Sequence, residues 1–288
     1  MVLRDSVALA GVVADGFDEC RVGIPPSLAR LMRHPVGFGV AERARAELAG
    51  LLERYVHRKP GVVVLTDVPT AIAVPALMCV TGLLGRPRPH NRDGELIAEI
   101  GRPEYGHRLG TDAADGPQPT PDYVVLLCIR PSSGGRVLVH LDDIVAESTP
   151  ELIGALRRPF HFDRNGDQRL GELSTVRKPI LFTQNGRPAI AYRRDLIEAG
   201  HRRNRIPPLT DAQISALDGL DSVLSRPSIR VGGRLRAGEL AIFDNLSLVH
   251  GWTEFRGDSR QLLLRTWIHA DPEPVRFRVE PQRGNQNT

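Results

Sequence analysis

From residue 95 onward the sequence is a succession of short apolar runs closed by Gly, Pro, Asn or Asp: ELIAEIG at 95–101, DYVVLLCIRP at 122–131, GGRVLVHLDDI at 134–144, KPILFTQNG at 178–186, RPAIAYRRD at 187–195, GELAIFDNLSLVHGW at 238–252 and RQLLLRTWIHAD at 260–271. Runs of this length, rich in β-branched and aromatic residues and bounded by turn formers, read as strands. So many short strands are best buried as two sheets packed face to face, which predicts an antiparallel jelly roll with helices packed on one sheet and an interior wide enough for a ligand.

The N-terminal third has a different texture. AERARAELAGLLERYVH, 41–57, puts Ala44, Leu48, Leu51, Leu52 and Tyr55 on one stripe, an amphipathic helix that Pro60 and Gly61 bring to an end. Val62–Pro69 is then a buried strand, and 71–84 a second apolar helix despite Pro75. GRPRPHNRDGE, 85–95, has loop chemistry. Later helices are expected in VAESTPELIGALRRP and in TDAQISALDGLDSVLS, where Thr210 can cap. With 41% apolar residues over 288 positions the chain can bury one large core, so the expectation is a single mainly β domain with flanking helices. Its parts would be the N-terminal helices and first strand over 1–94, the barrel core over 95–275 and a frayed polar tail over 276–288.

Charge and composition narrow the partners. A formal charge of +4 could suit nucleic acid, but Lys59 and Lys178 are the only lysines, the arginines are interleaved with acids, and aromatics for base stacking make up only 5%. Cys20, Cys79 and Cys128 are too few and too widely spaced for a disulfide framework or a zinc site. No run approaches the roughly eighteen apolar residues of a membrane span, and the N-terminus lacks a leader pattern, so a cytoplasmic protein without nucleic-acid or membrane partners is expected. Oligomeric state is open.

The segment GELAIFDNLSLVHGW carries the most chemistry. Leu240–Phe243 alternate as a strand, Asp244 and Asn245 turn the chain, and Leu246–Val249 lead into His250 and Gly251. Taken alone, a strand histidine is more often structural than ligating. In its context, DN-x4-HG followed by RQLLLR, it resembles the distal-histidine region of the iron(II) and 2-oxoglutarate-dependent oxygenases, in the taurine dioxygenase and clavaminate synthase-like branch. PGVVVLTDVPT, GLLGRP, DGELIAEIG and PDYVVLLCIRPSSGGRVLV resemble further family segments in the family's order, over Gly61 to Asp271. The resemblance implies a double-stranded β-helix (jelly roll, cupin-like), with iron held by two histidines and a carboxylate, 2-oxoglutarate as co-substrate, and a tailoring role in secondary metabolism.

Carried over residue by residue, the resemblance puts the distal histidine at His250 and the carboxylate at Asp112, within GHRLGTDAADG. The proximal histidine falls on Gly110, which has no donor; His107 is the candidate for rescue, and a histidine placed at 110 is expected to complete the set. Of the two arginines that grip co-substrate and substrate, Arg265 matches the second, the first falls on Gln261, and Arg260 points to the opposite face. Val137, expected to look inward, stands where the taurine branch often has a hydroxyl. Iron and 2-oxoglutarate are therefore implied by the resemblance but opposed by the residues at 110 and 261.

Other patterns are rejected. His140 with Asp142, and His161 with Asp163, both spell H-x-D; the first pair is expected on the strand face opposite Val137, the second outside the cavity strands. DRNGDQ, 163–168, imitates a calcium loop but has Gln168 where glycine is needed and Ser174 where glutamate is needed. GRLRAG, 233–238, reads as a hairpin turn. Three functions follow: an oxygenase acting on a small anionic or amino-acid-like metabolite with a reduced iron site, in which Arg265 grips the substrate; an enzyme on the same fold using Asp112 and His250 as acid and base without iron; or a non-catalytic binding protein.

Overall fold

The computed structural model describes residues 16–34, 38–101, 109–116, 119–131, 134–168, 171–252 and 260–270. The expected tail at 276–288 and His107 lie outside them. In chain order the elements are β1 (Arg21–Gly23), α1 (Pro26–Arg33), α2 (Phe38–Leu51), β2 (Val62–Thr66), α3 (Ala73–Leu84), β3 (Gly85–Arg88), β4 (Ala98–Ile100), β5 (Tyr123–Arg130), β6 (Arg136–His140), α4 (Leu141–Ala146), α5 (Pro150–Leu156), β7 (Pro159–Asp163), β8 (Thr175–Pro179), β9 (Leu181–Gln184), β10 (Arg187–Ile190), α6 (Arg194–Gly200), α7 (Asp211–Leu224), β11 (Arg230–Gly233), β12 (Leu240–Asp244), β13 (Leu248–Trp252) and β14 (Leu262–Ala270).

One sheet has the order β1-β2-β12-β5-β14-β3, with β4 also on β14; its pairs are antiparallel apart from β1 with β2. Facing it is the shorter sheet β11-β6-β13, and two further two-stranded sheets pair β10 with β9 and β7 with β8. This is the expected jelly roll. Period-two alternation divides its apolar residues into layers. Val64, Val124, Leu126, Cys128, Leu138, Ala241, Phe243, Leu248, Leu263 and Trp267 pack together in the barrel interior. Val63, Leu65, Val125, Leu127, Ile242, Leu264 and Ile268 point the other way, onto α1, α2 and α3. Strands covered on both faces need apolar side chains at every position, which is why VVVL and YVVLLC run without polar interruption.

The helices differ from expectation in one respect. They cover both sides: α4 to α7 pack with Val139, Phe160, Ile190 and Val249 into a further apolar layer behind the shorter sheets. α7 starts at the predicted cap, where Thr210 accepts from the Gln213 amide in a reciprocal capping box. LDDI, read as the end of a strand, is the first turn of α4, because His140 accepts from the Asp142 amide and starts a helix there. The GRLRAG segment is not a hairpin: β11 pairs with β6 and β12 with β2 and β5, so the link crosses from one sheet to the other. No helix among the described residues is long and apolar enough to cross a membrane.

Leu127 is fully buried, with Leu240 and Leu264 as its register partners on the neighbouring strands. Replacing it with alanine leaves a cavity between sheet and helices, so Leu127→Ala should lose about 2–5 kcal/mol of stability in urea denaturation, with the fold retained.

Candidate functional site

Alternation along β13 turns Leu248, His250 and Trp252 into the barrel and Val249 outward. The loop carrying Asp112 is tied to this strand through backbone: Gly110 N–H donates to the His250 carbonyl at 2.9 Å and His250 N–H to the Gly110 carbonyl at 2.8 Å. Asn245 holds the loop's next residue. Its Oδ1 accepts from the Asp112 amide at 3.2 Å, while its Nδ2 donates to the carbonyls of Asp112 (3.2 Å) and Pro121 (3.0 Å). The Thr111 amide donates to the Tyr192 carbonyl (2.8 Å), and the Tyr192 amide to Thr111 Oγ1 (3.0 Å). The backbone around Asp112 is thereby fixed on both sides, and its carboxylate projects toward His250.

Asp112 Oδ2 lies 3.6 Å from His250 Nε2, and Asp112 Oδ1 accepts from Arg265 Nη1 at 2.6 Å. Arg265, expected to be available to a substrate, is engaged by the site's own carboxylate. A residue that the sequence reading missed completes the group: Arg136 Nη1 lies 3.3 Å from His250 Nδ1, and its guanidinium stacks over Trp252 at 4.0 Å. Arg136, not Val137, looks inward, since Arg136 shares parity with the interior Leu138 and Val137 with the outward Val139. His140 has this inward parity as well, but it ends β6 as the cap of α4, and Asp142 is exposed.

Gly110 is sterically committed. A Cβ built on it would collide with the Arg193 side chain and stand 2.9 Å from the Tyr192 carbonyl oxygen, so a histidine does not enter this position without displacing backbone. Gln261 is buried, and neither atom of its amide has a partner. The space beside it, between Arg136, Trp252 and Leu263, is ≈ 10 Å³, enough for about one water. Arg260 is exposed and contributes its carbonyl to Arg130, away from the site. His161 and Asp163 lie on β7 outside the barrel, where Arg203 clamps Asp163 with two hydrogen bonds of 2.7 and 2.9 Å. Among the described residues no group of three His, Cys, Asp or Glu side chains is placed to hold a metal ion.

The protonation pattern follows from geometry. A guanidinium only donates, so His250 Nδ1 is the acceptor and the neutral ring carries its proton on Nε2, the atom facing Asp112. Burial, with the nearby arginines, lowers the His250 pKa to about 4 and outweighs the opposing pull of Asp112. The ring is neutral at pH 7, so the 3.6 Å contact is not an ion pair there. Asp112 behaves in the opposite way: burial opposes its ionisation, but Arg265, then His250 and Arg136, hold its pKa below the ordinary carboxylate value. His90, which lies 4.2 Å from Trp267 ring to ring and contacts the Arg265 carbonyl oxygen through Nε2 at 3.0 Å, is likewise lowered to about 4, chiefly by burial.

Two outcomes are expected. Gly110→Ala should cost roughly 1–3 kcal/mol in urea denaturation, as overpacking does, and Gly110→His more. His250 and His90 both titrate near 4 when folded against 6.5 as unperturbed groups, so between those values the unfolded chain binds more protons than the folded one. Stability should therefore fall as pH drops from about 7 to about 5, and thermal melts of the His90→Gln/His250→Gln double variant should show a shallower slope.

With this geometry in place, the comparisons with known proteins agree with one another. A profile of the Taurine catabolism dioxygenase TauD, TfdA family matches residues 35–267. FR-33289 synthase of Streptomyces rubellomurinus is 28% identical over 257 residues, covering 80% of this chain and 75% of the synthase. Among solved structures, asparagine oxygenase in complex with Fe(II), 2S,3S-3-hydroxyasparagine and succinate superposes with a TM-score of 0.65 at 21% identity, covering 87% of this chain and 93% of that one. The non-heme iron oxygenase OrfP, in complex with Fe and alpha-ketoglutaric acid, gives a TM-score of 0.65 at 18% identity, covering 87% and 94%. At these identities the two structures establish the fold.

Proposed function

The chain belongs to the taurine catabolism dioxygenase TauD, TfdA family, and from that premise we propose that it is an oxygenase tailoring a small amino-acid-like metabolite at a reduced site centred on Asp112 and His250. The observation that carries this reading is the convergence of Asp112 Oδ2 and His250 Nε2 at 3.6 Å inside the barrel, from a loop and a strand far apart in the chain. The named relatives support the substrate class, since asparagine oxygenase is solved with a hydroxyasparagine and OrfP with L-Arg.

A three-donor iron face with an arginine clamp for 2-oxoglutarate does not fit the described residues. Position 110 has no side chain and no room for one. The His250 nitrogen that would meet the ion is Nε2, which faces Asp112, with Arg136 at the other ring nitrogen. Beside Gln261 there is space for about one water, not a dicarboxylate. Asp112 and His250 remain as two donors, a set that would hold iron weakly. What the chain's own residues do is defined without it: Arg265 keeps Asp112 ionised, Arg136 orients the imidazole, and the Arg136 guanidinium lies over Trp252 at 4.0 Å and Phe243 at 6.0 Å.

That same hydrogen-bond pattern favours a second reading, in which ionised Asp112 accepts a proton from substrate and the neutral His250 Nε2–H donates a hydrogen bond to the charge that develops, without iron. Anaerobic iron(II) titration with and without 2-oxoglutarate, followed by aerobic incubation with an amino-acid panel, separates the readings. A reduced-site oxygenase should bind iron(II) and give oxygen-dependent product, lost in folded Asp112→Asn and His250→Ala. Turnover that persists in EDTA would select the acid–base reading. A protein that neither binds iron nor turns over any substrate would reject both in favour of a binding protein.

A further inference from the structure

Beyond the Asp112–His250 pair, a polar cavity of ≈ 340 Å³ lined in part by Trp267 and by the turn after Asp112 has no assigned role. Its size falls within the range of about 300–1,000 Å³ usual for small-molecule sites. Two segments far apart in sequence wall it: the loop 88–93, and the 164–167 turn of the DRNGDQ stretch. The Arg92 amide donates to Asp167 Oδ1 at 2.8 Å, which joins the two walls. Arg88 stacks over Trp267 at 5.8 Å from one side of the ring system, and Arg265 at 5.0 Å connects the same indole to Asp112. The cavity is thus the neighbour of the proposed reacting pair.

The turn that carries Asp112 supplies a second carboxylate. Asp112–Asp115 form a continuous turn with Ala113 at φ 54° and Gly116 N–H donating to the Ala113 carbonyl at 3.1 Å. Asp112 leaves this turn toward His250, whereas Asp115 lines the cavity. No hydrogen bond or ion pair joins the Asp115 carboxylate to a side chain of the described residues, in contrast to Asp112, Asp163 and Asp244, each of which is held by an arginine. Burial pushes its pKa up, and a hydrogen bond from its own backbone together with the fields of Arg193 and Lys178 does not offset that. Arg88, Arg193 and Lys178 each feel its charge without a direct ion pair to it, and the Lys178 ammonium donates to the Gly116 carbonyl at 3.2 Å. A carboxylate withdrawn from water without a paired cation is costly, and a ligand cation would relieve that cost.

We propose that this cavity is the ligand-selecting subsite of the protein, in which Asp115 binds the cationic nitrogen of a small zwitterion, an amino acid or close analogue, whose carboxylate end faces Arg88. The proposal rests on the reading of the barrel as a site for amino-acid-like metabolites, but it concerns binding and needs neither iron nor turnover. With Asp115 and Arg88 both lining the cavity, a ligand that carries both signs is favoured, and Trp267 gives its apolar stem a flat surface. A simple dianion would meet Asp115 and be repelled.

Calorimetric titration of the purified protein in EDTA with the twenty common L-amino acids and ornithine tests this separately from catalysis. At least one should bind with Kd below about 1 mM, equivalent to about 4 kcal/mol. Asp115→Asn should weaken that ligand at least tenfold while leaving the Tm of the ligand-free protein unchanged or raised, because a carboxylate without a direct partner is neutralised. Absence of binding by every compound would overturn the proposal. So would an unchanged Kd in Asp115→Asn, or a Tm lowered by several degrees, which would mark Asp115 as structural. Loss of turnover with binding intact would strike the oxygenase reading and leave the subsite standing.

Discussion

The site depends on two hydrogen bonds that involve no side chain. Gly110 and His250 exchange N–H and carbonyl groups, and this bridge sets the loop against β13 so that two residues later Asp112 faces the imidazole. Only glycine permits the contact, since Arg193 and the Tyr192 carbonyl occupy the space a Cβ would take. Absence of a donor at 110 and close approach of the loop to its neighbours are therefore one fact. A side chain there would alter the distance between Asp112 and His250 before it contributed any chemistry of its own.

Electrostatics then decide what the site can hold. At 2.6 Å and an effective dielectric near 20, the attraction between Arg265 and Asp112 is about 6 kcal/mol. Desolvating two charges costs several kcal/mol each, so the pair contributes little to net stability and mainly fixes the ionisation state and direction of the carboxylate. Arg136 does the same for the ring, consuming the lone pair of Nδ1. Asp112 faces Arg265 directly and feels Arg136 and Arg193 as well. Positive charge supplied by the chain thus surrounds the one carboxylate of the pair and keeps it ionised.

The fold was legible because its signal is repeated. Every strand of the large sheet states the same period, with Val124, Leu126 and Cys128 facing in and Val125 and Leu127 facing the helices, and turn residues mark each end. His250 and Asp112 were legible from their flanking sequence, although the flanks could not reveal that Arg265 is committed to Asp112. Arg136 was missed for a physical reason: RVLV is buried on both faces, so its composition does not say which parity looks inward. Only the pairing of Leu138 with His250 across the ladder settles that choice. A lone arginine at the start of an otherwise apolar strand was the available signal, since a buried guanidinium requires an acceptor or an aromatic face.

The cavity was illegible for a different reason. Its walls at 88–93 and 164–167 carry ordinary loop residues, and nothing in either stretch refers to the other. They meet because β3 lies on the edge of the large sheet against β14, while the 164–167 turn leaves the end of β7. The short turn TDAAD connects this outer chamber to the inner pair by sending successive carboxylates in two directions. Displacing that turn would move Asp112 and Asp115 together, because both stand on the same four-residue turn. A ligand that draws on Asp115 pulls on the same few peptide units that hold Asp112 to Asn245, and those units are braced against β13 by the Gly110 bridge.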